Sequence, residues 1–190
     1  MGTLSEQLNA TNQKRILKFN DSHFEWLQTY DSKFTHAVTL TFNSRQITNF
    51  IKKANTFKMI TKADMLILQK KSMNYFANRL NKSLFGNVSA RHGNRLLLVP
   101  ILEGVCGDQK VHYHCSLGVP HDRFNAIEMK IREACEHTPF SGNHVDVQPY
   151  RNSGWLGYSS KQAKYINREC IDWDNVRIPC ASNQFPSIVE

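Results

Sequence analysis

The spacing of apolar residues changes along the chain and marks out its elements. "HAVTLTFN" (36–43) alternates apolar and polar positions and is rich in β-branched residues, which predicts a strand. "SRQITNFIKKANTF" and "KADMLILQKKSMNYFANRLNKSLF" switch to helical spacing. In the second, Met65, Leu68, Phe76, Leu80 and Leu84 recur on one face with lysines between them. "NRLLLVPILEG" (94–104) is apolar on both sides and reads as a central strand, with a bulge expected at Pro100 because proline donates nothing to a ladder. "KVHYHCSLGV" is the next strand. "DRFNAIEMKIREACEH" (122–137) follows as an amphipathic helix with Phe124, Ile127, Ile131 and Cys135 on one side. "NHVDVQPY" (143–150) alternates again as a strand, and "SGWLGYSSKQAKYINRE" predicts a last helix.

Hairpin-linked strands with helices between them indicate an α+β fold, one antiparallel sheet with helices packed on it. A chain of 190 residues suits one domain with some decoration, or two very small ones, and the elements read as a single domain. Residues 36–168 carry the core elements. Residues 1–34 read as a polar, peripheral extension with a short helix near "DSHFEWLQTY", and 170–190 as a mixed tail in which Pro179 and Pro186 argue against a long helix. No apolar run approaches the ~20 residues of a membrane span, so no membrane partner is expected. The N-terminus lacks a hydrophobic signal core, so secretion is not expected. Five cysteines at irregular spacing, with no CxxC, predict reduced thiols in a cytosolic protein.

Charge changes the picture in one place. Residues 45–95 hold eleven Lys or Arg against a single acid, Asp64, a net of +10, whereas the rest of the chain is at −2. Such a block attracts polyanions, nucleic acid above all; its plainer explanation is a solvated helix face. Lys52, Lys53, Lys70, Lys71, Arg91 and Arg95 are the candidate nucleic-acid contacts.

The candidate chemistry lies in "LEGVCGDQKVHYHCSLG" (102–118). A hairpin turning at Gly107-Asp108, a pair suited to a type II′ turn, opposes residues whose numbers sum to 215. Glu103 then faces His112, and alternation puts His114 on the same side. Val111, Tyr113, Cys115 and Leu117 go to the other face. Burying an acid and two imidazoles without a partner is costly. A divalent metal with open positions, Mg²⁺, Mn²⁺ or Zn²⁺, satisfies all three. A hydrogen-bonded surface histidine pair on an edge strand is the simpler alternative, and a zinc site using Cys106 or Cys115 is a weaker rival because Cys115 points to the opposite face.

"GYSSKQAKY" adds Tyr158, Lys161, Gln162 and Tyr165 at i, i+3, i+4 and i+7, one helix face. A tyrosine hydroxyl is a possible nucleophile when a metal polarises the electrophile and a cation stands nearby. Tyrosines also simply pack helices onto sheets.

Together, "TLTFN" on the first strand, "HYH" with a glutamate nine residues before it, and "YSSK" on a late helix resemble the ordered motifs of the HUH endonucleases, the rolling-circle replication initiators of plasmids and circular single-stranded DNA viruses. The resemblance spans roughly 36–168 and is nearest to the Rep nicking domains of circovirus-type elements. It implies a ferredoxin-like (RRM-like) HUH endonuclease fold. It implies Mg²⁺ or Mn²⁺ on Glu103, His112 and His114, with Tyr158 as nucleophile and Lys161 as its helper. The implied activity is nicking and joining of single-stranded DNA through a 5′-phosphotyrosine link. The implied setting is a single-stranded or hairpin origin, in the cytoplasm of a bacterial or archaeal host or in the host nucleus. The stretch of about fifty residues between the first strand and that of Glu103 is long for a small viral Rep, and it is the basic block.

No G-x-x-x-x-G-K-[ST] loop is present, so a separate helicase and a host polymerase are expected partners. Two other classes fit the same motifs: a nucleic-acid-binding module without chemistry, and a metal-dependent nuclease that uses water.

Overall fold

The computed structural model describes residues 22–23, 25–54, 59–88, 96–105, 110–151, 154–159 and 170–179. Four strands form one antiparallel sheet: β1 (His36–Phe42), β2 (Leu97–Glu103), β3 (His112–Gly118) and β4 (Ser141–Pro149), in the spatial order β2-β3-β1-β4. Helices α1 (Ser44–Ala54) and α2 (Lys62–Phe85) join β1 to β2. A 3₁₀ segment (His121–Ala126) and α3 (Ile127–Glu136) join β3 to β4, and α4 (Gly154–Ser159) follows. The expected α+β class is what is found, in a strand order compatible with a ferredoxin-like arrangement. Among the described residues no helix is long and apolar enough to cross a membrane.

The predicted bounds of β1 and α2 hold closely. The start of α2 is fixed by a capping box, in which Thr61 Oγ1 accepts from the Asp64 amide and the Asp64 carboxylate accepts from the Thr61 amide. The one acid of the basic block is thus used as a cap. Gly86 closes the helix at φ 64°, a backbone conformation that favours glycine.

Strand alternation divides the interior into two cores. On one face, Val38, Leu40, Phe42, Leu98, Leu102, Tyr113, Cys115 and Leu117 pack against Ile47, Met73, Phe76 and Leu80 of α1 and α2 and Ile127 and Ile131 of α3. On the other, Leu97, Val99 and Ile101 pack against Leu27, Phe34, Leu156, Cys170 and Ile171. Residues 25–34 are therefore not peripheral: Leu27 and Phe34 are buried in the second core. The helix expected over 122–137 begins instead as the 3₁₀ segment.

The expectation of a central β2 with a bulge at Pro100 needs correction on both points. β2 is the edge of the four-stranded sheet, and its register with β3 runs unbroken from Leu97↔Gly118 to Glu103↔His112. The strand is buried on both faces because the C-terminal segment covers its outer edge. Leu98 exchanges backbone bonds with Arg177 (2.8 and 2.9 Å), the Leu102 amide donates to Cys170 O, and the Asp172 amide donates to Pro100 O. Residues 98, 100 and 102 thus turn their backbone groups outward, and the missing N–H of Pro100 falls on the tail side, where no β3 bond is lost. The irregularity of the sheet lies elsewhere, between Leu40 and Phe42 against β4. There Gly142 crosses Thr41 so closely that a Cβ would stand 2.4 Å from Thr41 Oγ1.

The tail is locked by a buried polar cluster. Asp172 is fully buried and accepts from Tyr113 Oη (2.7 Å) and Asn175 Nδ2 (2.6 Å), with Lys70 Nζ 3.5 Å from its other oxygen. Asn175 also donates to Lys70 O. β3, α2 and the tail meet at this one carboxylate.

Candidate metal centre

β2 and β3 pair with Glu103 opposite His112, the register expected from the sequence. The turn at Gly107-Asp108 lies outside the described residues. Period-two alternation points Glu103, His112 and His114 to the face away from the first core, while Tyr113 and Cys115 between and beyond them enter that core. Glu103 and His114 are each 5% exposed, and His112 is half-buried.

Their ligand atoms converge. Glu103 Oε2 lies 2.7 Å from His114 Nε2 and 3.2 Å from His112 Nε2, and the two Nε2 atoms are 3.1 Å apart. The imidazoles are oriented from behind. His112 Nδ1 lies 2.9 Å from Lys110 O. A carbonyl only accepts, so that bond places the proton on Nδ1 and turns the Nε2 lone pair inward. His114 Nδ1 lies 3.1 Å from Thr39 Oγ1, and Thr39 is its neighbour across β1–β3. When Nδ1 donates to that hydroxyl, Nε2 again presents its lone pair to the centre. Three electron-rich atoms at such separations repel unless protons or a cation lie between them. An outer bond on each ligating imidazole is the arrangement that tunes metal ligands. The three residues can hold a metal ion.

Thr39 and Trp155 were not among the expected site residues. Thr39 was visible as a polar residue between the core positions Val38 and Leu40. Trp155 lies in α4, and its ring meets that of His114 edge-on, centroids 5.3 Å apart at 90°. The signal for it was spacing, because Trp155 stands at i−3 from Tyr158. Leu156 beside it is buried in the second core and anchors the helix.

The remaining site residues are placed as follows. Tyr158 is in α4, three residues after Trp155. Lys161, Gln162, Tyr165, Arg91 and Arg95 lie outside the described residues. Lys52, Lys53 and Lys71 are exposed on α1 and α2. Lys70 differs from them: it is half-buried between Asp172 and Asp174, at 3.5 and 3.6 Å. Both helices pack on the first core, so these lysines are on the reverse of the sheet from Glu103, His112 and His114.

Around the triad the face is mixed: Ile101, opposite His114, belongs to the second core, and the β1 and β4 neighbours are polar. Thr39 neighbours Asp146 of β4, and Thr41 donates to His144 O. The strand aromatics Phe42 and Tyr113 are on the core side. Comparison with protein-family models, with curated proteins and with solved structures finds no match to this chain.

Proposed function

We propose that this chain nicks and rejoins single-stranded DNA with the Tyr158 hydroxyl as nucleophile, on a metal-binding HUH-type sheet of ferredoxin-like order, as an initiator of rolling-circle replication. The observation that carries the reading is the convergence of Glu103 Oε2 with two imidazole Nε2 atoms whose outer nitrogens are bonded elsewhere. Glu103, His112 and His114 would hold the ion, Mg²⁺ or Mn²⁺ by the resemblance to the HUH endonucleases.

When bound, such an ion draws charge from the non-bridging oxygens of a phosphodiester. The chain's own residues do the rest. Tyr158 forms a bond from its oxygen to phosphorus in line with the departing 3′ oxygen, and gives up its proton. The P–O3′ bond breaks and the 3′ oxygen takes up a proton, leaving a 3′-OH and a 5′-phosphotyrosine ester. Lys161, three residues on in the sequence, steadies the developing charge. The ester conserves the phosphodiester bond, so a 3′-OH reverses the step and joins strands. Trp155 supports this reading, since it ties the helix of Tyr158 to His114. On that face the strands carry Thr39, Thr41, Glu103, His112, His114 and Asp146 beside the second core, with Phe42 and Tyr113 on the reverse, which favours chemistry over base stacking in the manner of an RRM-like binder.

A denaturing gel tests the reading, with labelled single-stranded origin DNA, Mn²⁺ and the wild-type chain. A covalent protein–DNA band is expected, and EDTA abolishes it. Cleavage without that band identifies a water-using nuclease, and retention without cleavage identifies a binding module.

A further inference from the structure

Among the described residues, the triad's own face carries little positive charge. Glu103 and Asp146 share it, while α1 and α2 behind the sheet hold eight Lys or Arg against one acid. On α1, the exposed residues Arg45, Asn49, Lys52 and Lys53 fall at i, i+4, i+7 and i+8. On α2, exposed Lys71, Asn74, Asn78 and Lys82 fall at i, i+3, i+7 and i+11. Each set forms one outward stripe, cationic at its ends with asparagine between. None of the five cations is in an ion pair among the described residues. The acid of these two helices, Asp64, is used in the α2 cap. The neighbouring α3 differs, presenting exposed Glu133 and Glu136 beside a Glu128 paired with Arg132.

The geometry points to a second nucleic-acid surface on the outer faces of α1 and α2, which holds the phosphate backbone of a double-stranded segment while the triad face works on a single strand. This rests on the proposed function for the identity of the second strand, and on charge and placement for the surface itself. A strand bound against Glu103 and the histidines is separated from these lysines by the sheet and the first core, so the stripes engage a different part of the nucleic acid. The occupant is rigid and repetitive in charge. α2 is 24 residues long, about 36 Å at ~1.5 Å per residue, which matches roughly one duplex turn of ~34–36 Å. Lys71 and Lys82 are about 16 Å apart along it. Lys70 is excluded from the surface, because its ammonium is committed to Asp172 and Asp174. Glu133 and Glu136 of α3 disfavour phosphate there and leave α1 and α2 as the surface for the duplex.

The test uses a fluorescein-labelled 24-base-pair duplex of arbitrary sequence, read by anisotropy at several salt concentrations with the full chain. The variant K52A/K53A/K71A/K82A changes exposed residues only. If all four contact phosphates, it flattens the slope of log affinity against log salt by about 3.6, at ~0.9 per contact. This corresponds to a difference of about 150-fold between 50 and 200 mM salt. The variant His112→Ala/His114→Ala is expected to bind the duplex as wild type does. Wild-type affinity in the lysine variant overturns the inference, as does equal loss in the histidine variant. It is overturned as well if the lysine variant loses binding to phosphatidylserine vesicles and keeps the duplex. None of these outcomes depends on adduct formation. Failure here leaves the nicking reading standing, and failure of nicking leaves this surface standing.

Discussion

Tyr113→Phe removes one oxygen and leaves the ring in place. Tyr113 stands on β3 between the two imidazoles of the candidate centre, and its hydroxyl donates to a carboxylate that is 0% exposed. A hydrogen bond to a charged buried group contributes about 1.5–3 kcal/mol, and among the described residues Asp172 keeps Asn175 and Lys70 once it is gone. For a chain of this size each kcal/mol moves Tm by roughly 2–4 °C, so the expected loss is about 3–12 °C. Tyr150→Phe is the control. Tyr150 also donates to a carboxylate, that of Asp31, but the pair is only partly buried. Water replaces that bond, and the expected cost is about 1 kcal/mol or less. Differential scanning calorimetry of the two variants decides the matter. Should Tyr113→Phe melt within a degree of wild type, or no lower than Tyr150→Phe, the Asp172 cluster is not what holds the tail on the edge of β2.

Three further outcomes are expected. Mn²⁺ at 100 times its dissociation constant adds about 2.7 kcal/mol of stability, a rise of roughly 5–11 °C in Tm; His114→Ala abolishes this response in a thermal-shift assay. Leu27→Ala costs about 2–5 kcal/mol in urea melts, because Leu27 is buried in the second core, whereas a peripheral segment tolerates it. Burial depresses His36, with Glu128 partly opposing, so the unfolded state binds more protons between the folded value and the ordinary 6.5. Stability therefore falls as pH drops from about 6.5 toward that lower value, and His36→Gln flattens this part of the profile.

The sequence made the site legible because a hairpin is a local object. Once β2 and β3 pair at a sum of 215, period-two alternation settles which side each residue faces, and Glu103, His112 and His114 come together without further knowledge of the fold. Helix α2 was legible for a similar reason, since its apolar spacing and its Thr61–Asp64 cap are both written within a few turns. What stayed hidden depends on distant partners. The doubly apolar β2 reads as central, yet it is an edge strand whose second neighbour is a tail some seventy residues later. The same tail removes the need for a bulge at Pro100. Leu27 and Phe34 sit in a polar stretch too short to show a period, so their burial has no local signal. Lys70 and Lys71 look alike in the sequence, and only the position of Asp172 and Asp174 separates a structural cation from a surface one.

The central claim is that Tyr158 becomes joined to DNA. Wild-type chain incubated with single-stranded origin DNA and Mn²⁺, then digested with nuclease and protease, is examined by tandem mass spectrometry. A nucleotide 5′-phosphate on the peptide containing Tyr158, localised to that side chain and missing from Tyr158→Phe, is the predicted result. A nucleotide on Tyr165 or Ser159, or strand cleavage with every tyrosine unmodified, contradicts it.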